Sequence, residues 1–320
     1  MSFGVVKSGG NSEGSNVDYS ALNKYMVETC KLESPEALTG IISGIIDFGM
    51  QEQEDAAMEF QGTPEMEAEE MAKEGSNTYF ETMKDYGDGG KEKRYKRWPV
   101  KPCQTVGLTV DFPDIMIDKG QFFGDDSGEL KPLRMVLGGT FNGVFARQFP
   151  LNVRKNDKTN NKWSMPHNSM LHKMAVASKL VTPAAPFLPE QIDQLLGQAL
   201  QFEVTIGMRA EYLNEKIKYM GALGRGMQVP VLDDKYKYMI QFGATNDVTA
   251  LKHLSSAAKK TMAMSPDFAT SVVGKQLAEL RGEPQIAPPV AEVSEPAASP
   301  SASTGVNEPN FDDEEETPPF

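Results

Sequence analysis

Residues 105–112, Thr105-Val-Gly-Leu-Thr-Val-Asp-Phe112, alternate between apolar and other side chains. The side chains predicted to share one face are Val106, Leu108, Val110 and Phe112, with Thr105 and Thr109 on the other. A period of two is typical of a β-strand that places one face against a core. The stretch therefore predicts a strand and indicates a domain built around a sheet.

Further segments on both sides of this stretch have the composition of strands. Residues 38–50 contain four isoleucines and interior glycines, which favour a bulged strand over a buried helix. Residues 133–149 predict a second strand region that is broken at Gly138-Gly139. The segments that complete a set of about five strands are 202–208, 216–219 and 235–242.

Helical segments surround the predicted strands. The predicted helices are 18–32 with a capping Asp or Ser, part of 64–84, 166–181, 189–200, 246–263 and 266–281. Strands and helices that do not alternate regularly indicate an α+β fold.

The charge is distributed unevenly within a total of −13. Residues 1–90 contain 5 basic and 18 acidic side chains, residues 91–282 contain 27 and 18, and residues 283–320 contain none and 9. A net positive middle therefore lies between two acidic segments. Because a polyanion responds to the local field, the acidic total does not exclude a nucleic-acid partner. The alternative is that the clusters are ordinary solvated faces.

The composition divides the chain into three parts. The predicted parts are an N-terminal arm with a short helix (1–35), a nucleic-acid-binding domain (36–282) with an acidic insertion (51–90), and a disordered acidic tail (283–320). The tail contains eight prolines and no basic residue, so it buries too little apolar surface to fold.

The cysteines and the hydropathy indicate the compartment. Cys30 and Cys103 are the two cysteines and give no disulfide framework. No stretch approaches the roughly 20 apolar residues that a membrane span needs. We expect a reduced protein in the cytoplasm, which is the host cytoplasm if a phage encodes it.

The segment 91–101 combines cations with aromatic rings. Binding of single strands without sequence preference requires cations that follow the phosphates and flat rings on which bases stack. We expect this segment to be a loop between the first two strands that contacts DNA. Its candidate contacts are Lys91, Lys93, Arg94, Tyr95, Lys96, Arg97, Trp98 and Lys101. The alternatives are a solvated basic run and a packing role for Trp98.

Other basic and aromatic residues are weaker candidates for DNA contact. Phe122 and Phe123 lie in a predicted loop and would either stack on bases or plug the end of the sheet. A second predicted loop contributes Arg154, Lys155, Lys158, Lys162 and Trp163. The predicted strands contribute Lys216, Lys218, Tyr219, Lys235, Tyr236 and Lys237. Alternation along a strand predicts that Lys216 and Lys218 face away from Ile217 and Tyr219, and that Lys235 and Lys237 face away from Tyr236 and Tyr238. At least one tyrosine on each of these strands is expected to belong to the core.

The last ten residues are Phe311-Asp-Asp-Glu-Glu-Glu-Thr-Pro-Pro-Phe320. Phe320 joins a ring and an α-carboxylate in one residue, so a partner pocket with an apolar floor and a basic rim could capture both. The acids upstream would attract such a surface over distance. The predicted partner-binding residues are Asp312, Asp313, Glu314, Glu315, Glu316, Pro319 and Phe320.

This tail resembles that of the bacterial and phage single-stranded-DNA-binding proteins, which ends in acids, a proline and a final phenylalanine. The likeness covers residues 311–320 and departs at Thr317-Pro318, where the bacterial family has Asp-Ile, and in Glu for most of the Asp run. The departures imply cognate phage partners. The resemblance implies an elaborated five-stranded OB-type β-barrel that binds single-stranded DNA in replication or recombination and recruits replication or recombination proteins.

Other chemistries have little support in the sequence. His167 and His172 are predicted to lie on different helical faces, with no cysteine nearby to complete a zinc site. We expect no catalytic residues, no metal and no cofactor. Two alternatives stay open: an acidic adaptor or assembly protein that does not bind nucleic acid, and a metal-dependent nuclease or recombinase.

Overall fold

The computed structural model describes residues 18–85, 89–124, 127–156, 162–210 and 212–281. The predicted DNA contact Lys158 and the whole predicted partner-binding tail, residues 283–320, lie outside the described residues. The chain divides into two compact units. The core unit comprises residues 18–51 and 103–281 of the described chain, and the inserted unit comprises residues 52–102.

The protein is a mixed α+β structure with antiparallel sheets, as the sequence predicts at this level. The helices of the described segments are α1 (Tyr19–Cys30), α2 (Pro64–Ala72), α3 (Met170–Ala177), α4 (Val248–Lys252), α5 (Ser256–Ala263) and α6 (Val272–Arg281). The first strands are β1 (Glu36–Gln51), β2 (Ala56–Glu59), β3 (Tyr79–Asp85), β4 (Lys91–Trp98), β5 (Cys103–Ile117) and β6 (Lys131–Val136). The later strands are β7 (Thr140–Phe141), β8 (Val144–Phe145), β9 (Phe149–Pro150), β10 (Arg154–Asn156), β11 (Lys162–Ser164), β12 (Ala199–Arg209), β13 (Tyr212–Gly221) and β14 (Tyr238–Ile240).

Helix α1 begins where the sequence predicts. The Asp18 carboxylate accepts from the backbone N–H of Ala21 at 3.0 Å, which satisfies one of the unpaired donors of the first turn. Leu22, Met26 and Cys30 recur every four residues and are the buried face of the helix. The predicted capping by Asp and the predicted helix are both confirmed.

The main sheet of the core unit has the order β13-β12-β1-β5-β6. Each neighbouring pair on this path is antiparallel, β14 pairs parallel with β1, and β9 pairs with β5. Strand β1 is at the centre because it pairs with β5 and β12. Its register shifts twice against β5, between Ile42 and Gly44 and between Asp47 and Met50, so the predicted bulged strand is confirmed.

Gly44 lets β14 approach β1. A Cβ at this position would collide with the Tyr238 ring and with the Thr109 hydroxyl. Without that atom, Tyr238 packs directly over β1 and its hydroxyl is 3.2 Å from the Thr109 hydroxyl. Glycine inside a strand marks a close approach of neighbouring groups, which is the situation here.

Two hydrophobic clusters fill the core unit. The larger one contains the apolar face of β5, the alternate residues of β12 and the buried face of α1. The second one joins the far end of β1 to β14, α5 and α6. Because elements cover both sides of β5, its opposite face is buried too, with Thr105 and Thr109 at 2% and 4% exposure.

Several predicted helices are shorter than expected. The segment 166–181 contains only α3. The segment 189–200 contains a 3-10 helix, Pro189–Leu195, before β12 begins at Ala199. The part of 64–84 that follows α2 becomes β3. The segments 246–263 and 266–281 contain three α-helices, because Asp247 and Ser255 each cap a separate helix.

The segment 235–242 is only partly a strand. Lys235 and Tyr236 lie in a 3-10 turn, Asp234–Tyr236, and strand β14 begins at Tyr238. The Asp233 carboxylate accepts from the backbone N–H of Lys235 at 3.1 Å and thereby starts the turn. The predicted strand alternation of these lysines and tyrosines is therefore wrong at 235 and 236.

The inserted unit is a three-stranded antiparallel sheet, β2-β4-β3, with helix α2. Phe60 and Phe80 make an edge-on contact with ring centroids 4.7 Å apart. None of the residues described between 52 and 102 is buried. Polar and ionic contacts therefore carry much of what holds this unit together.

Candidate nucleic-acid interface

The basic segment predicted as a loop is strand β4, the middle strand of the inserted unit. Lys96 lies opposite Met58 of β2 and opposite Phe80 of β3, so β4 is hydrogen-bonded along both edges. Side chains along a strand alternate between two faces. The expected loop conformation is therefore wrong, because two neighbouring strands fix the segment in extended form. Its expected position in the chain between the first two strands of the main sheet, β1 and β5, is confirmed.

Acidic residues of the same unit neutralise one face of β4. Arg94 donates from Nε and Nη2 to both carboxylate oxygens of Glu67, at 2.8 and 2.7 Å. Lys96 Nζ donates to Glu70 at 2.8 Å. Hydrogen bonds from Lys73 and Lys96 lower the pKa of Glu70 to about 2. The acids of α2 thus supply the counter-charges of this face.

The other face of β4 carries further ion pairs. Arg97 Nη1 donates to Glu81 at 2.9 Å, and Lys93 Nζ lies 3.4 Å from a carboxylate oxygen of Glu59. The hydrogen bond from Arg97 is the main reason why the pKa of this guanidinium is raised. The acidic insertion and the basic segment, which the sequence presents as separate regions, form one unit in which acidic side chains pair with cations of β4.

The rings of β4 differ in exposure. Trp98, at the end of the strand, is 36% exposed, whereas Tyr95 is half-buried. Lys91 and Lys101 are exposed. Trp98 is therefore the ring of this segment that solvent reaches best.

The second predicted loop is a hairpin of β10 and β11. Arg154 pairs with Ser164 and Lys155 with Trp163 across the two strands. Trp163 is 57% exposed, and Lys155 Nζ lies 5.5 Å from the centre of its rings. An exposed indole with a cation above it is a surface on which a base can stack.

Strand β13 separates its cations from its packing residues as predicted. Lys216 and Lys218 are exposed, while Ile217 is buried. The Tyr219 hydroxyl donates to the carbonyl of Lys173 at 3.2 Å, and the ring packs against the larger core cluster. Tyr219 therefore has a packing role.

A basic cavity lies at β5, β6 and α4, and we define it by its lining residues. It has a volume of about 420 Å³. Its polar and aromatic lining residues are Asp111, Lys119, Phe123, Lys131, Arg134, Tyr236, Lys252 and His253. Phe123 and Tyr236 were predicted from the sequence, and the other members of this set were not.

The two phenylalanines of the predicted stacking pair have different surroundings. Phe122 packs against Tyr25, with ring centroids 5.3 Å apart, and against the larger core cluster. Phe123 is 55% exposed and lines the basic cavity. Of the two predicted alternatives, Phe122 fits the plug and Phe123 has the exposure that stacking requires.

The ion pair of Arg134 with Asp111 forms the floor of the basic cavity. Asp111 is fully buried and accepts from Arg134 Nε at 2.7 Å and from Nη2 at 2.9 Å. Arg134 also donates to the carbonyl of Tyr236 at 2.7 Å. Burial opposes the charge of Arg134, but Asp111 together with Tyr238 and Tyr236 outweighs burial, and the pKa of the guanidinium is raised.

His253 completes this floor. Its Nδ1 is 3.3 Å from Arg134 Nη1, and since a guanidinium only donates, Nδ1 accepts. The imidazole also stacks on the Tyr238 ring at 4.9 Å, with 15° between the planes. Burial, followed by the charge of Arg134, lowers the pKa of His253. The neutral imidazole therefore belongs to this arrangement.

The lysines around the cavity differ in their partners. Lys131 Nζ is 3.3 Å from Glu129, which also pairs with Lys235 at 3.2 Å. Lys235 lies over the Tyr236 ring at 4.9 Å, and Lys237 pairs with Asp234 instead. Lys119 and Lys252 line the cavity from opposite parts of the sequence. Lys119 was identifiable because it directly precedes the aromatic loop, whereas nothing local singles out Lys252.

The histidines outside the cavity contact each other. The rings of His167 and His172 lie 4.4 Å apart, because His167 precedes α3 and the expectation of different helical faces does not apply. Over the described ranges, His, Cys, Asp and Glu form no group of three that could hold a metal ion.

Comparison with protein-family models, with curated proteins and with solved structures finds no match to this chain. Within the described ranges, no helix has the length and hydropathy required to cross a membrane.

Proposed function

We propose that the core unit is an elaborated OB-type domain that binds single-stranded DNA without sequence preference. In a Greek key the fourth strand returns to lie beside the first, with the spatial order 4-1-2-3. The five strands of the main path are numbered one to five in chain order, as β1, β5, β6, β12 and β13. The observed spatial order is then 5-4-1-2-3, which contains the order 4-1-2-3. This order supports the proposal, since an OB domain is a five-stranded and partly open Greek-key barrel.

The position of the basic cavity carries the proposal. OB domains bind oligonucleotides on the face of strands two and three. Strands β5 and β6 occupy these places, and they contribute Asp111, Lys131 and Arg134 to the cavity. The cavity thus combines lysines with the exposed Phe123 ring at the position where such a domain binds its ligand.

The cavity has both kinds of group that single strands require. Lysines provide positive charge for phosphates, and a ring provides a face for a base, which contributes about 1–3 kcal/mol per stacked base. Lys119 and Lys252 supply the charge, while Phe123 and Tyr236 supply the rings.

The remaining predicted contacts are part of the proposal as secondary surfaces. Trp98 and Trp163 are exposed enough to stack, and Lys216 and Lys218 are exposed cations. The cations of β4 contribute less to phosphate binding, because a phosphate would have to displace carboxylates that already accept their hydrogen bonds.

The tail is proposed to recruit replication or recombination proteins through Phe320 and the acids before it. Its composition and its resemblance to the tails of single-stranded-DNA-binding proteins support this role. The proposed function places the protein in the cytoplasm, together with replicating DNA.

Fluorescence anisotropy with labelled DNA probes of thirty nucleotides tests the proposal. We expect full-length protein to bind oligo-dT much more tightly than duplex DNA, and to lose affinity when Lys119 and Lys252 are both replaced by Gln. Lys275→Gln is the matched control, because Lys275 is an exposed lysine of α6 outside the cavity lining. Equal affinity for single-stranded and duplex DNA, or no binding to either, would contradict the proposed function.

A further inference from the structure

We infer that the basic cavity is a subsite for one nucleotide with a terminal phosphate, which is held by lysines while its base packs on Phe123 and Tyr236. The inference rests on the proposed function and narrows it: the cavity holds the phosphorylated end of a strand, and the rest of the strand lies outside. A free nucleoside monophosphate has the same chemistry and is the second possible source of the ligand.

The guanidinium of Arg134 is not the main phosphate ligand. Of its five N–H donors, two are used by Asp111, one by the carbonyl of Tyr236 and one by His253. Arg134 is instead a positioning residue. It holds β6, the turn that carries Tyr236 and the end of α4 in a fixed arrangement around the cavity.

The lysines supply the phosphate-binding charge. Among the described residues that line the cavity, Asp111 is the one carboxylate, and its charge is balanced by Arg134. The lysines of the cavity lining on which the inference rests are Lys119 and Lys252, because Lys131 is paired with Glu129, which also pairs with Lys235. Lysine binds phosphate as a compact point charge that adapts its position.

The positive charge of Lys119 and Lys252 favours a terminal phosphate over an internal one. A phosphate monoester carries a charge of roughly −1.5 to −2 near pH 7 and three acceptor oxygens, whereas an internal phosphodiester carries a single charge. Lysines that reach the cavity from the β5–β6 connection, from β6 and from α4 can approach such a group from several directions.

The rings and the size of the cavity fit the rest of a nucleotide. Phe123 is mostly exposed and Tyr236 is half-buried, so each leaves ring surface accessible. The volume of about 420 Å³ lies in the range of roughly 300–1,000 Å³ that is common for small-ligand sites. An inorganic phosphate alone would leave most of this space and both rings without a ligand.

Calorimetry and anisotropy with the full-length protein test the inference. The probes are oligo-dT of ten nucleotides with a 5′-phosphate, with a 3′-phosphate or with neither. The competitors are dTMP, thymidine and inorganic phosphate. We expect one of the two phosphorylated oligomers to bind about tenfold more tightly than the unphosphorylated oligomer, because its terminal phosphate adds charge-assisted hydrogen bonds. Competition by dTMP alone, with no preference among the oligomers, identifies the free nucleotide as the source.

Three variants assign the effect to the cavity. Lys252→Gln should remove most of the preference for the phosphorylated oligomer. Phe123→Leu should weaken the binding of dTMP and leave the competition by inorganic phosphate unchanged. Lys275→Gln, which lies outside the cavity lining, should leave both unchanged. Thermal melting of each variant checks that it is folded.

The outcomes separate this inference from the proposed function. If long oligo-dT binds tightly, but phosphorylated and unphosphorylated ends bind equally and dTMP does not compete, the subsite is wrong and the proposed function stands. If inorganic phosphate competes as well as dTMP and Phe123→Leu does not change dTMP binding, the cavity binds phosphate only and the inference of a nucleotide ligand is wrong. If dTMP binds and long oligo-dT does not, the subsite stands and the proposed function fails.

Discussion

Asp111 and Arg134 lie opposite each other on β5 and β6, and the guanidinium bonds both carboxylate oxygens at 2.7 and 2.9 Å. The Asp111 side chain is fully buried, while 26% of the Arg134 side chain is exposed. Removing one partner of a buried pair leaves the other charge uncompensated. Asp111→Asn should therefore lower the free energy of unfolding by about 3 kcal/mol, measured by urea denaturation.

The double variant Asp111→Leu with Arg134→Met is the control for this prediction. This variant removes both charges and keeps the side-chain volumes similar. Its free energy of unfolding should therefore fall by less than that of Asp111→Asn. A single variant as stable as the original protein would mean that the pair contributes no stability.

The salt dependence of DNA binding counts the phosphate contacts. For a single strand the slope of log K against log salt is about −0.7 per neutralised phosphate, so about four contacts predict a slope near −3. Replacing Lys119 and Lys252 by Gln should bring the slope closer to zero by about 1.4. An unchanged slope in this double variant would place the phosphates elsewhere on the protein.

Trp98 tests the contribution of the inserted unit. Because the ring is 36% exposed, Trp98→Ala should leave the melting temperature nearly unchanged and weaken oligo-dT binding by about 1–3 kcal/mol. Trp163→Ala provides the comparison on the β10–β11 hairpin. A large drop in melting temperature with unchanged affinity would give Trp98 a packing role instead.

Stability should depend on pH through His253. Burial and Arg134 lower its pKa from the ordinary value of 6.5, so the unfolded chain binds more protons than the folded one as the pH falls. The contribution of His253 to stability is present above the pKa that the imidazole has in the unfolded chain. It is lost as the pH falls through the pKa that the imidazole has in the folded protein. The melting temperature should therefore decrease between about pH 7.5 and about pH 5.5.

His253→Gln keeps an acceptor for Arg134 but does not titrate, and it should reduce this pH dependence. Burial also lowers the pKa of His172, so part of the dependence should remain until His172→Gln is added. Identical pH profiles for the original protein and His253→Gln would contradict the role of His253.

Removal of residues 307–320 should raise the affinity for oligo-dT at low salt. This segment contains six acids, and a tethered polyanion competes with phosphates at high effective concentration. Screening should reduce the gain as salt increases. Removal of Phe320 alone should leave DNA affinity unchanged and abolish capture of a replication or recombination protein. An unchanged affinity of the truncated protein at low salt would exclude competition by the tail.

The sequence was sufficient where the deciding interactions are local. The alternation of residues 105–112 and 202–208 predicts two strands that the structure contains, and Asp18 predicts the start of α1. Strand periodicity and helix capping depend on neighbours within a few residues, so a single sequence carries them. The uneven distribution of charge is likewise a property of the sequence alone.

The tertiary structure decided which charges are neutralised and which residues share a site. The basic segment 91–101 looks available for phosphates in the sequence, but α2 folds against β4 and gives Arg94 and Lys96 carboxylate partners. The basic cavity brings Asp111 together with His253 across more than half the length of the core unit's chain. Ion pairing and convergence of this kind depend on distances between elements that are remote in sequence. Local periodicity carries no information about those distances, and only the packed sheet and helices fix them.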